Sequence, residues 1–226
     1  FSYMTNIYIL GIILSIIHYY SQEYNIRKHK HTDKIISFSA GVGVTYIFVE
    51  LFPSFNALVK DISPAIFLTI LVGFVTFHLV EKFIYQHAGG KHAPKELAVE
   101  DSTISFFYHF IVGAFIVYFT KQSSLQGFLF FIPIALHTST SALPVDIPLS
   151  KGMKIVISSS SFIGVLLTSI FFTSIPKITF IIGLGLMVGT LTFTNIRHSI
   201  PEGKKGKPLY FLIGVIAYTL IIYLTK

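Results

Sequence analysis

Eight mostly apolar stretches follow one another along this chain, joined by short polar connections. They run approximately Tyr3–Tyr20, Ile35–Phe52, Pro64–Tyr85, Ile104–Phe119, Leu125–Leu143, Met153–Phe172, Ile178–Ile196 and Pro208–Leu224. A helix that crosses the hydrocarbon core of a bilayer needs about 20 mostly apolar residues. Lipid offers backbone groups no hydrogen-bond partner, so such stretches must close their bonds internally, as helices. The pattern predicts an all-α, polytopic membrane protein, with residues 1–226 forming one transmembrane domain. Composition agrees: 12% of residues are charged and 53% are hydrophobic, against about 25% charged in an average soluble domain. Phe1 opens the chain, and no basic n-region with a small-residue cleavage site follows it.

The net charge of +7 would suggest a nucleic-acid partner in a soluble protein; here the basic residues sit in the connections and set topology. Thirteen of the 17 lysines and arginines fall on one side: Arg27, Lys28, Lys30, Lys34, Lys82, Lys91, Lys95, Lys151, Lys154, Arg197, Lys204, Lys205 and Lys207. Lys60, Lys121, Lys177 and Lys226 fall on the other. The positive-inside rule makes the first side cytoplasmic and places both termini outside. The longest connection, residues 86–102, is then cytoplasmic. It carries His87, His92 and the acidic residues Glu96, Glu100 and Asp101, and reads as a solvated polar linker.

Small residues mark where helices pack. Gly185 and Gly189 form Gly-x-x-x-Gly, and Ser37, Ser39, Ala40, Gly41 and Gly43 open the second segment. Helices in lipid associate through such close approaches. Ser158–Ser161 fits the same use and can hydrogen-bond back to its own helix. No strict internal repeat is visible. Pro133 and Pro144 bracket the polar centre of the fifth segment; a proline frees a carbonyl, which at depth needs a partner or a cavity.

Two histidines lie inside apolar stretches: His109 in the fourth and His137 in the fifth, the latter followed by Thr138, Ser139, Thr140 and Ser141. Ionisable residues within membrane segments point to function by default. Three uses suit the pair: ligands to an ion, an interhelical hydrogen bond to each other or to the neighbouring hydroxyls, and proton handling, since imidazole titrates near neutrality. The absence of cysteine excludes thiolate sites and disulfides. No Ser/His/Asp spacing or His-Glu-x-x-His pattern appears, so the chain is not expected to be an enzyme. His18 fits an interfacial aromatic belt beside Tyr19 and Tyr20. His78 and Glu81, three apart on one face, are expected to pair with each other or with Lys82, ahead of the alternative that they line an exit. Glu50 reads as a helix-end group facing water or as an entrance ligand.

Three motifs carry a family resemblance. Ser39-Ala-Gly-Val-Gly-Val-Thr-Tyr-Ile-Phe-Val-Glu-Leu-Phe-Pro53, Phe77-His-Leu-Val-Glu-Lys-Phe83 and Ile196-Arg-His-Ser-Ile-Pro-Glu202 resemble the second, third and seventh helix motifs of the ZIP family of divalent-metal transporters. The resemblance covers nearly the whole chain. It implies an eight-helix ZIP-like bundle in the cell membrane, with zinc or another divalent transition metal as cargo and no resident cofactor. It implies His109, His137, Thr138, Ser141, Glu50 and His198 as candidate metal residues. The implied partners are the lipid bilayer, a divalent metal ion or proton, and a homodimer or larger membrane complex, with no nucleic acid.

The match departs from the family at its metal motifs. Where the fourth helix usually carries His-Asn-x-x-Asp/Glu-Gly, this chain has His109, Phe110, Val112 and Gly113. Where the fifth carries His-Glu-x-Pro-x-Glu, it has His137, Thr138 and Ala142. Glu50 stands where the second helix usually has histidine, and His198 where the seventh often has an acid. Asp146 resembles, about one position shifted, the acid that follows the fifth-helix motif. With its carboxylates replaced, the chain fits an altered-specificity carrier or a non-transporting accessory subunit.

Overall fold

The computed structural model describes residues 2–23, 31–60, 62–87, 93–140, 150–171, 175–199 and 206–225. These form eight helical rods. α1 is Ser2–Glu23. α2 is Thr32–Val59, with a π-helical turn at Ile47–Leu51. α3 is Leu68–His87, entered through a 3-10 turn at Pro64–Phe67. α4 is Ala93–Gln122, and α5 is Ser124–Thr140. α6 is Lys151–Phe171. α7 is Lys177–Thr194, continued by a π-helical turn at Asn195–Ser199. α8 is Pro208–Thr225. Six of them (α2, α3, α4, α6, α7 and α8) are long and apolar enough to cross a membrane by length and composition. The outer faces of α3 and α8 expose Leu68, Leu71, Val72 and Leu79, and Leu209, Leu212, Ile216 and Leu220. In water these faces would be a liability; in lipid they are the expected surface of an integral membrane protein.

The fourth helix begins well before the expected Ile104. Residues 93–102 are helical rather than part of a linker, because Pro94 suits a first turn and Lys95, Glu96, Leu97 and Ala98 are strong helix formers. At 1.5 Å per residue its 30 residues span roughly 45 Å, more than the hydrocarbon core of about 30 Å. By length and composition the candidate span is Ser102–Gln122, and the polar first turns precede it. The fifth helix is described to Thr140; Ser141, Pro144 and Asp146 lie outside the described residues.

Contacts between helix ends show the rods alternating in direction. Lys154 at the start of α6 meets Glu23 at the end of α1 (2.9 Å). Arg197 at the end of α7 meets Glu81 at the end of α3 (3.1 Å). The Lys207 N–H before α8 donates to the Ser37 hydroxyl near the start of α2 (3.0 Å). All six residues lie at the lysine-rich end. Glu81 thus has a partner on α7 besides the neighbours expected for it, and His78 packs edge-on against Phe193 (5.7 Å).

Helix packing divides the rods into two bundles. α1, α4, α5 and α6 pack together, as do α2, α3, α7 and α8, and the two groups meet mainly where α5 lies on α2. Three helix pairs cross on reciprocal glycines: Gly41 and Gly214 for α2/α8, Gly73 and Gly189 for α3/α7, and Gly113 and Gly164 for α4/α6. Each glycine faces a backbone oxygen of the opposite helix so closely that an added Cβ would stand under 3.0 Å from it. The packing role expected of Gly189 and Gly41 is thus realised, with partners that sequence does not reveal. The serine run also behaves as expected: Ser158 and Ser159 donate to the Ile155 carbonyl and Ser160 to that of Ile157, while Ser161 reaches across to Ser15 (2.9 Å).

A hidden correspondence links the halves. The π-turns of α2 and α7 each begin six residues after a crossing glycine, Gly41 and Gly189. Each ends two residues before a proline in the sequence, Pro53 and Pro201. Few identities accompany this spacing, so it escapes a search for repeated residues.

Pro133 lies inside α5. Without an N–H, it cannot bond the carbonyl of Leu129 one turn earlier. The Tyr218 hydroxyl of α8 donates to that carbonyl. The partner that the proline required is a tyrosine from the other bundle.

Candidate functional site

His109 sits in the middle of α4, 4% exposed. Its Nδ1 lies 2.9 Å from the Ser105 carbonyl one turn earlier. A carbonyl only accepts, so Nδ1 carries the proton and, in the neutral ring, Nε2 presents a lone pair. That lone pair meets the Thr138 hydroxyl of α5 at 3.1 Å, which donates to it. The interhelical bond expected from the histidines and the fifth-segment hydroxyls therefore forms between His109 and Thr138. Such a bond inside a membrane bundle contributes about 0.6 kcal/mol on average, so it positions the ring without sealing the nitrogen from a stronger partner.

The first helix joins this site, which sequence reading missed. His18, assigned to an interfacial belt, is 4% exposed and stacks on His109 with ring centroids 3.7 Å apart and planes 23° from parallel. The Ser105 hydroxyl lies 3.1 Å from His18 Nε2, while His18 Nδ1 is buried with no hydrogen-bond partner. Ser105 was legible as a neighbour of His109, being four residues earlier on the same helix face. His18 was not, because its contact spans α1 to α4 and depends on how those helices cross. The stacking has a chemical consequence: His18 Nε2 and His109 Nδ1 both lie at Ser105, while His109 Nε2 is turned to Thr138. The two imidazoles do not converge on a common ion in this arrangement.

His137 lies on α5, 5% exposed, with its ring 6.2 Å from that of Tyr108, which also packs against His109 at 4.9 Å. Tyr108 thus touches both of the histidines expected to act together. Thr138 stands at His109; Ser141 is outside the described residues, as is the side chain of His198, whose backbone belongs to the π-turn of α7. Among the described residues no group of three or more histidines or carboxylates is arranged to hold a metal ion.

A comparison with protein-family models and with curated proteins finds no match for this chain. Its chemistry is read from its own side chains.

Glu50 belongs to a second polar contact. It is 3% exposed, contrary to the expected water-facing helix end, because the π-turn carries it into the bundle rather than out of it. The Gln126 amide of α5 donates to its carboxylate at 3.2 Å. Gln126 precedes Thr138 by twelve residues of one helix, or roughly 18 Å of rise, so Glu50 and His109 occupy different levels of the bundle. At the lysine-rich end Ser39 and Thr140 approach within 3.4 Å. The contact between the bundles therefore has polar links at several heights along α5, including the Tyr218 bond at Leu129. Asn195, which opens the α7 π-turn, donates to the Leu191 carbonyl (3.0 Å). Its own oxygen points at Gly43, where any side chain would collide with it.

Proposed function

We propose that this integral membrane protein is a ZIP-like carrier of altered specificity that passes a divalent metal cation near His109 and His137. The observation that carries the reading is the state of His109. Metal-ligating histidines usually donate their second ring N–H to a carbonyl or carboxylate, which fixes the tautomer. The Ser105 carbonyl does this for His109 and turns Nε2 toward α5. Thr138 covers that lone pair with a rotatable hydroxyl, so an arriving ion needs to displace one weak hydrogen bond. Without carboxylates at the site, cargo stays partly hydrated and binding stays weak, since neutral imidazoles do little to offset a double charge at low dielectric. In this reading both termini face outside and the lysine-rich end is cytoplasmic.

Uptake of Zn²⁺, Fe²⁺ and Mn²⁺ into proteoliposomes tests it, with His109→Ala and His137→Ala beside the wild type. Flux in the wild type that falls in both variants is expected. Equal flux in all three overturns the site, and no flux of any metal overturns the class.

A second reading is a non-transporting accessory subunit of a membrane complex. It is favoured by the engagement of both His109 nitrogens, by Ser105 and by Thr138. Purification as a lone chain or homodimer with no other polypeptide counts against it.

A further inference from the structure

The buried face of α1 changes character half-way along. Its first half buries Ile7, Leu10 and Leu14, and Gly11 lies so close to α6 that an added Cβ would stand 2.9 Å from a Val165 methyl. Beyond Leu14 the buried atoms are polar. His18 Nδ1, Gln22 Oε1 and, on α4, Ser102 Oγ are each sealed from solvent with no hydrogen-bond partner among the described residues. α1 ends and α4 begins at the lysine-rich end, so the contact of His18 with Ser105 sets Gln22 and Ser102 about one turn nearer that end. Ile12, Ile13 and Ile16 of α1 and Phe107 and Ile111 of α4 are exposed instead. Here both helices turn hydrocarbon outward and polar atoms inward.

We propose that the lysine-rich half of the α1/α4 seam is a gate, which opens as α1 swings from α4 and admits a hydrated divalent cation to His109. The gate rests on the carrier reading, for which it supplies the route to the lysine-rich face. Polar side chains inside a membrane bundle mark ion paths when they turn away from lipid. A sealed polar atom without a partner costs free energy that water returns once it enters, so three such atoms bias this seam toward parting. The hold at its open end is slight. Lys154 and Glu23 form a part-exposed pair there, of a kind that adds little stability. Gly11 against Val165, with the apolar residues around it, makes the other half of α1 the pivot. The distances suit a gate as well. Ser102 opens the candidate span of α4 and precedes His109 by roughly 10 Å of rise. The Ser105 hydroxyl lies between them, 3.1 Å from His18 Nε2 and 3.4 Å from His109 Nδ1.

The chain has no cysteine, so single thiols report the gate in the full protein in lipid nanodiscs. The probe is a trimethylammonium-ethyl methanethiosulfonate, a cation that reacts with thiols in water, and intact mass spectrometry reads its rate. Ser102→Cys, a near-isosteric change, is expected to react at least about ten-fold faster than Val112→Cys, because a local opening costs less than one through the core. Val112 lies on the same face of α4 beyond His109 and is 0% exposed. Glu23→Lys, set against Lys154, is expected to speed the Ser102→Cys reaction about two- to five-fold, and adding Lys154→Glu is expected to restore the slower rate. Equal rates for Ser102→Cys and Val112→Cys overturn the gate, as does a Ser102→Cys rate unmoved by Glu23→Lys. Labelling needs no transport, which separates the two readings. Metal flux without the Ser102→Cys labelling overturns the gate alone, and the expected labelling without flux of any metal overturns the carrier.

Discussion

Replacing Tyr218 by phenylalanine removes one hydroxyl and no packing volume of consequence, yet it should reveal how α5 tolerates Pro133. The Tyr218 hydroxyl donates to the Leu129 carbonyl that the proline leaves without a helical partner. Both groups are buried, and Tyr218 is 1% exposed, so no solvent replaces the lost bond. A buried acceptor stripped of its donor costs about 1–3 kcal/mol, and Tyr218→Phe should fall in that range. The cause is separable from other roles of the ring by a double-mutant cycle. Pro133→Ala restores an N–H one turn from Leu129, so that carbonyl regains an intrahelical bond. In the Pro133→Ala background Tyr218→Phe should cost less than about 0.5 kcal/mol, and the coupling should exceed the 0.3–0.5 kcal/mol scatter of independent sites. Reversible unfolding in mixed micelles by SDS titration measures all four corners. Equal cost of Tyr218→Phe in both backgrounds refutes the reasoning.

Three further outcomes follow from the same contacts. Gly113→Ala places a Cβ against the Ser161 backbone oxygen; helix propensity alone would stabilise by about 1 kcal/mol, but parting α4 from α6 should make the variant about 1–2 kcal/mol less stable. Gly183→Ala, where a Cβ meets Phe115 at 3.6 Å, should be neutral or stabilising, and the opposite signs are readable as Tm shifts in detergent. Gln126→Leu strips a donor from the buried Glu50 carboxylate and should cost about 1.5–3 kcal/mol, measured by the same SDS titration. Thr138→Ala uncovers His109 Nε2 and loses a bond worth near 0.6 kcal/mol; under the proposed function it should tighten Zn²⁺ binding, read by calorimetry, while His109→Ala should abolish it.

Hydropathy made the eight helices legible as apolar segments, but only six of the eight expected spans have the length and apolarity of a crossing; α1 and α5 fall short among the described residues. The lysine distribution likewise foretold alternating directions, which the end-to-end contacts of Glu23, Glu81 and Ser37 bear out. What escaped was whatever depends on pairs of helices. His18 looked interfacial because Tyr19 and Tyr20 flank it, and nothing local marks the face it turns to α4. Glu50 looked terminal because Pro53 follows, while the π-turn that redirects it leaves no clear mark in composition. The start of α4 was hidden for the opposite reason: its first turns are polar, so an apolar criterion passes over a helix that propensity alone supports. Pro133 lay between these cases. Its need for a partner was readable, and the partner was not.

The matched spacing of the π-turns in α2 and α7 bears on how the chain enters its membrane. Those helices stand five places apart among alternating rods, so the related stretches point in opposite directions. A stretch of this design is then compatible with either sense of insertion, and something outside it must choose. The residues just ahead of each differ in that respect. Arg27, Lys28 and Lys30 precede α2, whereas residues 172–176, ahead of α7, contain no lysine or arginine. A translocation machinery that retains positive charge would hold the first connection back and release the second. Under the proposed orientation, the sense of insertion would be set by the connections and not by the helices themselves.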